Sequence, residues 1–341
     1  MLYAARIQFI DLANLFNSQS NDGRGRIRIS PATHQRYTDI VNCSLIPAFG
    51  ACALSKLTPA DIQRQYNKWE TTGRGDGRAG GVAPRTRIHI HRVFKSALKN
   101  AVSLQLIGRN PADFVKPPKA PKIAINVLTV EQSAELLDAL RGSSLYWSVL
   151  IALATGMRRG EILALRWKNV DFETATVRVV ESVEKTRKCG LRFKEPKTGK
   201  TRAVVLPRIV LEELKTWKDA QRAQLISNGV NVTDDHFVCG KRNGEVRDPT
   251  TLTHEFIIAI NKLKHLPRVR FHDLRHSHAT QLLTAGVHPK IAQERLGHST
   301  ITTTLDLYSH VTNTMQADAA STLDTAFRSA IKARLLIPKP S

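Results

Sequence analysis

The sequence predicts a mainly α-helical protein with a small β-sheet, split into an N-terminal helical domain and a C-terminal α+β domain. Three observations carry this. Apolar residues recur at helical spacing through most of the chain, as at Ile90, Val93, Phe94, Ala97, Leu98 and Ala101. One stretch, residues 174–206, switches to strand character around Val177, Val179–Val180 and Ala203–Leu206. Pro117, Pro118 and Pro121 fit neither a helix nor a sheet ladder, and they mark the division. At 341 residues the chain has room for two domains. We place them at 1–118 and 128–314, with a linker at 119–127 and a tail helix at 315–341.

In the first domain, residues 5–17 carry a partial apolar face and predict a helix, followed by a polar, glycine-bearing loop at 21–30. A second helix starts around Ser30 to Thr33 and ends at Ile46–Gly50. Thr58, Pro59 and Asp61 are a helix start: a capping hydroxyl, proline in the first turn and an acid at the positive end of the dipole. Residues 72–83 are a loop, and Pro84 opens the next helix. Opposite its apolar face lie Arg85, Arg87, Arg92, Lys95 and Lys99. From Gly81 to Lys122 there are nine Lys or Arg against one acid, Asp113, so this face is expected to meet phosphates rather than water alone.

In the second domain, Thr129 to Gln132 fits a capping box and opens a helix to about Leu140. Leu145 to Ala154 form another, which Gly156 ends. Glu161, Ile162, Leu163, Leu165 and Trp167 begin the next, which puts Arg158 at a helix junction. The strand region holds EKTRKCGLRFKEPKTGKTR, with eight Lys or Arg and two acids, and Lys197–Lys200 reads as the turn of a hairpin. Helices follow at about Arg208–Leu225 and Pro249–Leu263, and the tail carries Leu323, Phe327, Ile331 and Leu335 four apart. Such a tail packs on its own domain or on a neighbouring subunit.

Charge narrows the function. Fifty-one basic and 29 acidic residues leave +22, with a pI near 10.3, which favours a polyanionic partner. A membrane partner is not expected: the longest apolar run, Val149 to Ala154, is far too short to span a bilayer. Cys43, Cys52, Cys189 and Cys239 are scattered without CxxC spacing, so neither disulfides nor structural zinc are expected, and a reducing cytoplasm fits.

Candidate chemistry concentrates in Phe271–Val311, FHDLRHSHATQLLTAGVHPKIAQERLGHSTITTTLDLYSHV. His272 and Arg275 are one helical turn apart. His298 follows a Leu-Gly corner, and Tyr308 lies ten residues on. Cations and hydrogen-bonding groups converging with one hydroxyl point to chemistry on a phosphate diester. Taken singly, each residue has a plainer role: an arginine in a surface ion pair, a tyrosine packed in a helix, His276, His278 and His310 on helix surfaces or in packing. His272 and His276 are four apart, but no acid or cysteine completes a metal site.

TGMRRGEILALRW, EPKTGKTR, HDLRH and LGHSTITTTLDLYSHV, in that order, resemble the active-site boxes of the tyrosine recombinases, the phage-integrase family. The likeness is close over the last two-thirds. The first third resembles the family's helical, SAM-like core-binding domain, from THQRY to AVSLQLIGRNP. Many phage integrases carry a small extra domain for accessory arm sites; here about thirty residues precede Thr33 and read as helix and loop.

The resemblance implies a site-specific DNA recombinase that needs no metal or nucleotide cofactor. It makes Arg158 and Arg275 the pair that holds the scissile phosphate. Lys197 becomes the general acid for the 5′-oxygen, with Lys200, also a candidate DNA contact, its nearest competitor. His272 is a proton acceptor, His298 a phosphate ligand, Tyr308 the nucleophile and Glu161 a supporting residue. A phenol is a poor nucleophile with a pKa of about 10, and surrounding cations favour its phenolate. The expected partners are double-stranded DNA at specific sites, three further copies in a tetramer, and accessory DNA-bending or directionality proteins. Leu305–His310 would be a moving helix that delivers Tyr308. The competing functions are a type IB-like topoisomerase and a non-catalytic DNA-binding regulator.

Overall fold

The computed structural model describes residues 30–74, 79–121, 125–196, 201–302, 304–305 and 312–335. The expected helix at 5–17, the loop before Ser30, Lys197, Lys200, Tyr308 and His310 lie outside the described residues. The chain divides into two compact units: residues 1–124 with 186–188, and the remainder from Ile125.

The first unit is helical. Helix α1 (Pro31–Ile40) is capped by the Ser30 hydroxyl and passes through a π turn, Val41–Leu45, into α2 (Ile46–Phe49). Pro47 explains the π turn. It has no N–H and crowds the carbonyl four residues back, and the widened turn, with Ile46 N–H bonded to Val41 O, accommodates it. Helix α3 (Pro59–Thr71) starts at the expected Thr58, where Asp61 does more than face the dipole and closes a capping box: Asp61 N–H donates to Thr58 Oγ1 at 3.2 Å and Thr58 N–H to Asp61 Oδ2 at 3.2 Å.

Helix α4 (Pro84–Ser103) buries the predicted apolar face, Ile90 through Ala101. Phe94 stacks on Phe49 at 4.8 Å between centroids, and the Tyr66 hydroxyl bonds His91 Nδ1 at 2.9 Å. Arg87 departs from the predicted basic face: it is 8% exposed and its Nη1 donates to Glu70 at 2.6 Å. Position 87 is one turn before His91 and Ile90, so the same periodicity that buries those residues carries Arg87 inward.

The second unit is built around α6 (Tyr146–Thr155), which is apolar nearly all round and buried accordingly. Around it lie α5 (Val130–Ala139), α7 (Arg159–Ala164), α8 (Arg208–Ser227), α9 (Pro249–Lys262), α10 (Asp273–Thr284) and α11 (Pro289–Leu296). Helix α10 is its main helical neighbour. Helix α7 is shorter than the sequence suggests. Leu165 O accepts from Val238 N–H at 2.8 Å and Trp167 N–H donates to His236 O at 3.1 Å, so the backbone leaves the helix to pair with that segment. Leu165 and Trp167 stay in the core, 3% and 4% exposed.

The small sheet is antiparallel, in the order β1 (Val170–Asp171), β2 (Thr176–Val179), β5 (Arg202–Val205), with Val177 opposite Val204. Among the described residues, strands β3 (Ser182–Thr186) and β4 (Gly190–Lys194) form a separate two-stranded sheet. This corrects the expected hairpin across Lys197–Lys200. The strands flanking that segment belong to different sheets, and the tight turn is at 187–189. Burial follows the split: Val177 and Val204 seal the core, whereas Leu191 and Phe193 of β4 are each 39% exposed. Helix α12 (Thr312–Leu335) exposes Leu323, Phe327 and Ile331. No helix among the described residues is long and apolar enough to cross a membrane.

Candidate active site

Two helix C-termini build the site. The last carbonyls of a helix lack intrahelical partners, and here arginines take them. Gly156 closes α6 in the left-handed region (φ 65°) and Gly297 closes α11 (φ 67°). Arg275 is 3% exposed and donates from Nη1 to Gly156 O at 2.6 Å and from Nη2 to Leu296 O at 2.7 Å. Arg295 donates from Nη2 to Ala154 O at 2.9 Å. Arg158 donates from Nη2 to Gly297 O at 3.0 Å, and Arg202, on β5, from Nε to Arg295 O at 3.1 Å.

Glu161 ties these groups together. It sits in the first turn of α7, 1% exposed, and accepts the Arg158 backbone N–H on Oε2 at 2.9 Å. Arg158 Nη1 reaches Oε1 at 2.9 Å, while Arg202 gives Nη2 to Oε2 at 2.6 Å and Nη1 to Oε1 at 3.2 Å. Burial alone would raise the Glu161 carboxyl, but bonds and charge from Arg202 and Arg158 hold it below the usual range. Two guanidinium groups bond this carboxylate and a third, on Arg275, feels its charge, so three cations face one anion and two positive charges are left unbalanced. Arg275 registers the imbalance: burial first, then Arg158 and Arg202, lower it to about 9.

Histidines line the same place. His298 is lowered to about 4 by burial and by Arg275, Arg158, His276 and Arg202, and its Nδ1 lies 2.9 Å from Thr304 Oγ1. His272 keeps exposed surface, yet its ring is also lowered to about 4 by desolvation, His276 and Arg275. The His272 and His276 rings meet edge to face at 5.2 Å. His272 and His298 are neutral at pH 7. His278 is a packing residue, as expected: Nδ1–H donates to Leu153 O at 2.7 Å, which leaves Nε2 to accept from Arg295 Nε at 3.2 Å.

Of the candidate site residues, Arg158, Glu161, Arg275 and His298 are joined by these bonds and charges, with His272 beside Arg275. Arg202 and Arg295 were not picked out in the sequence. Arg202 is one of eight cations in its run, and nothing local separates it from the rest; Arg295 had the signal of a cation in the last turn of a helix. On α4, Arg85, Arg92 and Lys99 are exposed, while Lys95 pairs with Asp113 at 2.7 Å. Among the described residues, no group of three or more His, Cys, Asp or Glu could hold a metal ion.

Comparison with known proteins defines the class as site-specific DNA recombinases. The phage integrase family profile matches residues 126–315, more than half the chain, and the family's N-terminal SAM-like domain matches residues 25–70. The chain belongs to the phage integrase family of tyrosine recombinases. A tyrosine recombinase XerC-like protein of Caldanaerobacter subterraneus is 28% identical over 292 residues, covering 80% of this chain and 72% of that protein. The ICEBs1 integrase of Bacillus subtilis is 26% identical over 273 residues, covering 78% and 72%. The fold is that of the Tn1549 transposon integrase in complex with transposon right end DNA: TM-score 0.72, 24% identity, 92% of this chain and 99% of that one.

Proposed function

We propose that this recombinase cleaves and rejoins DNA at specific sites through a 3′-phosphotyrosyl bond to Tyr308, without metal or ATP. The observation that carries the reading is the surplus of positive charge at Arg158, Arg202 and buried Arg275 around buried Glu161. A phosphodiester supplies the missing anion. Both terminal nitrogens of Arg275 carry a second N–H beyond those given to the helix carbonyls, and these suit non-bridging oxygens that gain charge in a pentacoordinate transition state.

In this reading Tyr308 Oη bonds to phosphorus as the bond to the 5′-oxygen breaks. His272, neutral at pH 7, takes the phenolic proton, and Lys197 gives one to the leaving oxygen. His298 hydrogen-bonds the phosphate. The tyrosyl ester conserves the energy of the broken bond, and attack by a 5′-hydroxyl of the partner strand reverses each step. Exchange between two duplexes needs four such sites, hence a tetramer on DNA, with Leu323, Phe327 and Ile331 of α12 available to a neighbouring subunit. Exposed Arg85, Arg92 and Lys99 would contact phosphates. Accessory DNA-bending or directionality proteins would set the direction of exchange, and the reaction would take place in the cytoplasm.

The test is a nicked suicide duplex made from DNA flanking the gene. A covalent protein–DNA adduct that Tyr308→Phe abolishes is the expected result; absence of adduct on every flanking sequence overturns the reading.

A further inference from the structure

We infer that Arg202 is a positioning residue of the recombination site, one that occupies Glu161 so that Arg158 stays available to the phosphate. The inference rests on the function proposed above. It concerns a residue that makes its bonds to Glu161 and to the end of α11, not to the substrate.

A carboxylate has about four lone-pair sites, and Glu161 fills them from two sources. Oε1 takes Arg158 Nη1 and Arg202 Nη1; Oε2 takes the Arg158 backbone N–H and Arg202 Nη2. Arg202 therefore holds two of the four positions on a carboxylate that is 1% exposed. Its own side chain is 10% exposed, anchored through Nε to Arg295 O and packed so that a Cβ on Gly297 would lie 3.1 Å from its Cδ.

Without Arg202, two acceptor sites on a buried anion lose their donors. The Arg158 guanidinium is the adjacent donor, and a planar fork pairs with both oxygens of a carboxylate. Such a pair would draw Arg158 onto Glu161, off Gly297 O and away from the phosphate position. Charge points the same way. Arg158, Arg202 and Arg275 against Glu161 leave two positive charges; loss of Arg202 leaves one; loss of Arg202 together with the Glu161 charge restores two.

This relation separates positioning from mere structural support. Arg202→Met is expected to lower single-turnover adduct formation about thirtyfold, less than the 10²–10³ seen when a direct donor is removed, with DNA affinity nearly unchanged. Adding Glu161→Gln to Arg202→Met should recover most of that loss, to within about fivefold of wild type, the opposite of two independent defects that add. Arg202→Gln, which keeps one amide donor for buried Glu161, carries the same test if the methionine variant melts early. The inference is overturned if both double variants, melting like wild type, are no faster than their Arg202 single variants. It is also overturned if Arg202→Met and Arg202→Gln leave the rate unchanged. Wild-type adduct that depends on Tyr308, measured in parallel, shows whether the proposed function itself holds.

Discussion

At the scale of single residues, Arg275 carries the heaviest demand. It is buried among like charges, bridges two helix ends, and has N–H groups left for a ligand. Lysine offers a point charge and cannot span both carbonyls while facing a phosphate. Arg275→Lys should therefore lose about 10²–10³ in single-turnover cleavage, nearly as much as Arg275→Ala. A lysine variant within a few-fold of wild type would show that charge alone suffices.

The histidines give a pH dependence. His272, His278 and His298 sit at about 4 in the fold, against an ordinary 6.5. Between those values the unfolded chain binds more protons, so their stability is present above pH 6.5 and is lost as pH falls toward 4. His278, 5% exposed, should by itself give a slope of about 1.4 kcal/mol per pH unit. Thermal unfolding followed from pH 7 to 4.5 should be visibly less steep in His278→Gln; identical slopes would discount the histidine.

At the scale of elements, the ends of helices matter more than their middles. Gly156 is required on two grounds. Its φ of 65° disfavours any Cβ, and an added Cβ would lie 2.6 Å from Leu296 Cδ2 and 2.7 Å from His278 Cδ2. Strain of about 1–2 kcal/mol and overpacking of about 1–3 kcal/mol should combine in Gly156→Ala, and the carbonyl that aims Arg275 should shift with them. Gly142 has a similar φ of 73° with nothing within 4 Å of an added Cβ. Gly142→Ala should show the strain alone, about 1–2 kcal/mol, and normal cleavage. Equal losses in denaturant unfolding of the two would remove the packing component.

At the scale of the whole molecule, the +22 surplus sets how the protein meets DNA. Neutralised phosphates release counterions, so affinity of Tyr308→Phe for its site should fall about 10³-fold or more between about 50 and 200 mM salt, as for six to ten phosphate contacts. A nearly flat salt response would mean that the exposed cations of α4 face solvent only. The two units have separate apolar cores, one around Phe49 and Phe94, the other around α6.

Much of the architecture could be read directly because it is local. The helix start at Thr58, the capping box at Thr129, the helix end at Gly156, the Leu-Gly corner at Gly297 and the buried face of α4 depend on neighbours within a few residues. The order of the boxes was likewise enough to name the family. Arg87, β4 and β5 were misread because a charged or β-rich pattern does not say which partner it will find. Glu70 took Arg87 inward, and β2 rather than β4 took β5.

The sequence by itself determined most of the described elements, the charge and the candidate residues, since each is a matter of composition and short-range periodicity. Only the tertiary structure decided how those residues act together. The bonds that make the site join Arg202 to Glu161 across 41 positions, Arg275 to Gly156 across 119 and Arg158 to Gly297 across 139. No local pattern encodes such a pairing. It exists because two helix ends, each with unpaired carbonyls, are packed against one another in the core.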